Sequence, residues 1–172
     1  MRIVVLISMF LFIGQVYGDM SKTSKSKIRK FVKKEFKVDD FELKPLIIYN
    51  IIVNKIIFDN QNIGYLYKKN AKSCKTGGCT NGNLVNEYES YTFIILYNID
   101  FTIKKVKVID YNSSYGYEIM AKSWLKQFIG KGKKDLVIDS DVDAISGATI
   151  SVQSIVNEVN KVNRIIRNYF IK

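Results

Sequence analysis

The chain has 172 residues, of which 47% are hydrophobic and 25% charged. That suits one domain with a single core, and it excludes both a disordered chain and a polytopic membrane protein. Histidine is absent, which removes the commonest general base near neutral pH and excludes c-type haem attachment.

The first residues read as a targeting segment. Arg2 gives a positive start, Ile3 to Ile13 is apolar, and Val16-Tyr17-Gly18 precedes a candidate cut before Asp19. This is the layout of a secretory signal peptide over residues 1–18, and the run is too short for a bilayer span. Residues 19–54 are expected as a helical and extended segment, and residues 55–172 as the main domain. The net charge is +11. The basic residues are spread along the chain without a nucleic-acid motif, so nucleic acid is not an expected partner.

From the N-terminus, Ile28, Phe31, Val32 and Phe36 recur at helical spacing and predict an amphipathic helix over residues 25–37. Asp39-Asp40 ends it, and Pro45 marks an extended start. Residues 55–58 and 63–67 read as two strands around the turn Asp59-Asn60-Gln61-Asn62. The Gly-rich stretch 72–86 reads as a loop. Residues 91–97 and 102–109 are β-branched and aromatic, and predict a hairpin turning at Asn98-Ile99-Asp100. A loop over 111–116 precedes a helix over 119–129, carried by Trp124, Leu125 and Phe128. Residues 136–138 read as a short strand and 139–146 as a polar turn. An apolar stripe from Val152 to Tyr169 predicts a long final helix. Helix, four strands, helix, short strand and helix make an α+β class: a single domain with a mostly antiparallel sheet packed by helices.

The chemistry concentrates where the polar turn meets the last helix, at Asp143-Ala144-Ile145-Ser146-Gly147-Ala148-Thr149-Ile150-Ser151. Ser146 is a candidate N-cap. Gly147 and Ala148 are small and allow close approach to the backbone. Thr149 and Ser151 put hydroxyls into the first turn. A helix N-terminus carries unpaired N–H donors and partial positive charge, which favour phosphate. These features describe either an ordinary capped helix or an anion site beside a hydroxyl.

The string Asp143-x-x-Ser146-Gly147-Ala148-Thr149 resembles the flavinylation motif of the FMN-binding domain family. That family includes the covalent-FMN subunits of the sodium-pumping NADH:quinone reductase and of Rnf-type electron-transfer complexes. The resemblance implies FMN as cofactor, attached through its phosphate to Thr149 by a flavin transferase that uses FAD and a divalent metal. It implies that Ser146, Gly147 and Ala148 turn around the phosphate and that Asp143 belongs to the transferase recognition sequence. Residues 111–131 are similar to the segment preceding the motif in the family, which implies that Tyr115, Gly116 and Tyr117 neighbour the flavin ring.

Cys74-Lys75-Thr76-Gly77-Gly78-Cys79 is a second local signal. In an exported chain it fits a structural disulfide or a redox-active pair, and its two soft ligands are too few for a metal site. The expected function is an exported electron carrier, periplasmic or on the outer face of the cytoplasmic membrane, working with membrane or extracytoplasmic redox proteins. A small extracytoplasmic flavin reductase and a non-flavin structural domain are the alternatives.

Overall fold

The computed structural model describes residues 22–75, 88–112 and 116–170. Helix α1 spans Lys22–Phe36 and α3 spans Thr149–Phe170, with a single turn of helix, α2, at Lys122–Leu125. Between α1 and α2 run five strands: β1 (Glu42–Ile48), β2 (Ile51–Phe58), β3 (Gln61–Lys75), β4 (Tyr88–Tyr97) and β5 (Ile103–Asn112). They pair antiparallel in the order β1-β2-β3-β4-β5. The α+β class and the antiparallel sheet follow the sequence expectation.

The sheet is covered on both faces. On one, Ile28, Phe31 and Val32 of α1 pack on Ile56, Leu66, Ile94 and Leu96. On the other, Val152, Ile155 and Val159 of α3 pack with Val53, Phe93, Ile95 and Val106. A strand buried on both sides needs no alternation, and Phe93 to Tyr97 is a continuous run of fully buried side chains. The two edges differ in how they resist further pairing. Strand β1 carries Pro45, which has no N–H to donate, and β5 carries Lys104, Lys105 and Lys107.

Four expectations are corrected. The sheet has five strands, because Pro45 lies inside an edge strand, where the lost N–H is tolerated. A boundary between residues 54 and 55 would cut β2, and α1 and β1 pack into the same unit as the rest. The helix expected over 119–129 is broken into a 3-10 turn (Tyr117–Met120), α2, and a second 3-10 turn (Lys126–Phe128). Ala121, with ψ 127°, breaks the first from the second. The strand expected at 136–138 reduces to one bridge, Ile138 to Val142. Leu136 gives its backbone N–H to Asn160 Oδ1 at 2.8 Å and accepts from Asn160 Nδ2 at 2.9 Å, so a side chain of α3 takes the place of a neighbouring strand.

A row of tyrosine hydroxyls meets the polar positions of α3. Tyr111 OH lies 3.2 Å from Ser151 Oγ, Tyr67 OH donates to Glu158 Oε1 at 2.7 Å, and Tyr97 OH donates to Asn163 Oδ1 at 2.8 Å. The Tyr91 hydroxyl lies beside Ser154 but outside hydrogen-bonding geometry. Burial pushes Tyr91 up to about 12, and burial also raises Tyr97 well above its ordinary value of 10.0. Tyr67 is raised by burial and then by its bond to Glu158. A raised phenol is held neutral in the fold, so its contribution is complete below the unfolded value of 10.0. It is lost as pH climbs through the folded values. The melting temperature is expected to stay level from pH 8 to about 10 and then fall steeply. A melting curve unchanged at about pH 11.5 would contradict the burial of these hydroxyls.

Candidate functional site

The site is built where the turn 143–148 delivers the chain into α3. Ala148 N–H donates to Ile145 C=O at 3.1 Å, and Gly147 has φ +81°. A positive φ at the third position is what a type II turn needs, and glycine takes it without strain. The first α-helical bond, Val152 N–H to Ala148 C=O at 2.9 Å, makes Ala148 the cap position. The expectation that Ser146 caps the helix is therefore corrected, since Ser146 sits one step earlier in the turn. Ala148 is buried and has no side-chain acceptor. The amides of Thr149, Ile150 and Ser151 have no intrahelical carbonyl to meet, and no acidic residue stands in the first turn. The helix start therefore has no carboxylate of its own first turn to offset its partial positive charge.

The two hydroxyls of this turn point different ways. Thr149 is exposed, whereas Ser151 is 1% exposed. Ser151 turns inward to Tyr111 at 3.2 Å. Gly116 lies directly over it, with φ +79°. A Cβ built on Gly116 would come within 2.3 Å of Ser151 Oγ and 3.0 Å of Tyr111 OH. Residue 151, distant in sequence from 111 and 116, thus closes on both with no spare space. A Cβ on Gly147 would meet nothing within 4 Å. The outer side of the motif turn is open, as an incoming group requires.

Asp143 begins the turn and is tied down by residues of the preceding helical segment. Its backbone N–H donates to Gln127 Oε1 at 2.8 Å, and its carboxylate accepts from Gln127 Nε2 at 2.9 Å. Trp124 Nε1 donates to its carbonyl at 2.8 Å. Further back, Asp141 holds its own turn by accepting from Val137 N–H and pairing with Lys131 and Lys134. These interactions bring its carboxyl down to about 2, the Val137 bond contributing most.

Of the residues expected at the site, Asp143, Ser146, Gly147, Ala148, Thr149 and Ser151 share one turn, and Gly116 closes on it. Tyr117 follows at 62% exposure. Tyr115, Cys79 and the side chain of Cys74 lie outside the described residues. Sequence reasoning missed Tyr111, Gln127 and Asn160. Their roles come from contacts 40, 16 and 24 residues distant, which no local pattern announces. Among the described residues no group of His, Cys, Asp and Glu could hold a metal ion.

An antiparallel sheet, a helix start preceded by a small-residue turn, and an exposed threonine make an α+β domain whose motif turn is suited to an anion. A family model described as the FMN-binding domain matches residues 89–163, which run from β4 through the motif and most of α3. Over these residues the chain carries an FMN-binding domain, which supports flavin binding. No curated protein matches the chain.

The residues present fit FMN. The positive start of α3 and the open face of Gly147 suit a phosphate. The Cβ-free contact at Gly116 brings a backbone segment against the same turn.

Proposed function

We propose that the protein is an exported electron carrier whose FMN is esterified to Thr149. The observation that carries this is the opposed setting of the two hydroxyls, with Thr149 outward beside the open Gly147 turn and Ser151 locked inward. Only the outward oxygen is accessible to a modifying enzyme. Thr149 Oγ1 would form the new bond to phosphorus as the FAD pyrophosphate breaks and AMP leaves. A threonine hydroxyl is a weak nucleophile, so the flavin transferase supplies the base and divalent metal. Bound FMN supplies one- or two-electron transfer. The chain's own part is to hold the phosphate on the helix amides and to fix the segment around Gly116 against the turn.

A covalent link keeps the cofactor where free flavin would be diluted away, which suits a periplasmic position or the outer face of the membrane. The partners are the transferase during maturation, then membrane or extracytoplasmic redox proteins. The test is a denaturing gel viewed under ultraviolet light, with the protein co-expressed with a flavin transferase. The wild-type band is expected to fluoresce and gain the mass of an FMN phosphoester, and Thr149→Ala is expected to be dark. A dark wild-type band with the transferase active on another acceptor would overturn the covalent reading.

A further inference from the structure

The charge of this protein is unevenly placed once it is folded. Helix α1 has seven Lys or Arg and one Glu in 15 residues, whereas α3 has three and one in 22. The apolar stripe of α1 is spent on the sheet, so its outward face is almost entirely cationic. Arg29 and Lys33 share Asp40, and Lys27 pairs with Asp110. Lys25, Lys30 and Lys34 are exposed and form no ion pair among the described residues. Strand β5 extends the same face, with Lys104 lying over the Phe36 ring and Lys107 over Phe31. Lys68 is partly buried close to Lys25, and both burial and that neighbouring charge lower its pKa. Like charges outnumber the acids that pair with them here.

We propose that this α1 face docks the protein on an anionic phospholipid surface. The face has lysines and no outward apolar stripe, so it would sit on headgroups without inserting. Lysine is a compact point charge that suits a carpet of phosphates needing no planar, bidentate readout. Each lysine near such a surface adds attraction that fades within a Debye length. None of the described helices is long and apolar enough to cross a membrane. Electrostatic docking would therefore hold the folded domain at the surface. The motif helix packs on the opposite face of the sheet, so Thr149 stays accessible when α1 is engaged. Export supplies the physiological setting, but the binding itself stands apart from the flavin reading.

Co-sedimentation of the full chain with vesicles tests this, using phosphatidylcholine alone and phosphatidylcholine mixed with phosphatidylglycerol. Binding to the mixed vesicles is expected to exceed binding to the neutral ones by at least about tenfold, and to fall by a similar factor at high salt. The triple variant Lys25→Glu, Lys30→Glu, Lys34→Glu should lose that difference. A control triple at Lys122, Lys126 and Lys161, all exposed on other elements, should keep most of it. Circular dichroism melts confirm that each variant is folded, and Lys→Gln versions replace any that is not. Equal binding to both vesicle types, an equal loss in the control, or tighter binding to duplex DNA than to mixed vesicles would overturn the proposal. The flavin gel reports on Thr149 alone, so either idea can fail without the other.

Discussion

Replacing Gly116 by alanine is expected to cut FMN loading by about tenfold, and replacing Ser151 by glycine in the same chain is expected to restore it in part. The new methyl group would sit 2.3 Å from Ser151 Oγ, far inside van der Waals contact, and 3.0 Å from the Tyr111 hydroxyl. Ser151 is two residues from Thr149 and fully enclosed, so it cannot yield without moving the first turn of α3. Alanine also meets a φ of +79°, a strain of about 1–2 kcal/mol. The two costs separate in a double-mutant cycle. Backbone strain is unaffected by what stands at position 151, whereas the clash vanishes when Ser151 loses its side chain. The double variant should therefore load clearly better than Gly116→Ala and fall short of Ser151→Gly alone by the remaining strain, measured by in-gel flavin fluorescence and by flavin absorbance of the folded protein. If Gly116→Ala loads like wild type, or the second change brings no recovery, this close contact does not shape the flavin site.

The largest stability effect is expected at Asn160. Its side-chain amide takes both the N–H and the C=O of Leu136 in a buried pair of bonds. Alanine there strands two backbone groups away from water, a cost of about 2–4 kcal/mol. For a chain of this size that corresponds to a melting temperature lower by about 5–15 °C. Asn157, exposed on the same helix with its side chain accepting from Gln153, is the matched control and should shift the melt by no more than about 2 °C. A small effect at Asn160 would mean that the segment before the motif is held by other contacts. Because that segment leads into Asp141 and Asp143, flavin loading should also fall more in Asn160→Ala than its melting temperature alone explains.

The parts of the fold legible in the sequence were those governed by periodicity. The α1 stripe, the hairpin 91–109 and the long α3 each repeat an apolar pattern over many residues, and the structure has all three. Strand β1 hid behind Pro45, because a proline is ambiguous until the strand is known to be an edge. Trp124, Leu125 and Phe128 face the core with helical spacing, but a chain of short 3-10 and α turns buries the same residues as a continuous helix. Leu136 reads as a strand residue, and only the distant Asn160 shows why it is not one. The candidate site divides the same way. Its motif is contiguous and could be read directly, down to the small residues of the Gly147 turn. Tyr111 over Ser151 and Gln127 around Asp143 depend on how the sheet and α3 meet, which nothing local encodes.

The 22 residues of α3 make a rod of about 33 Å. Thr149 stands at one tip, and Tyr169 and Phe170 form a partly exposed aromatic cluster with Phe101 at the other. A tag, dye or electrode tether fixed beyond Phe170 would hang from the pole opposite the motif. Anything fused at that pole leaves the threonine clear, so the molecule has a natural handle and a natural working tip.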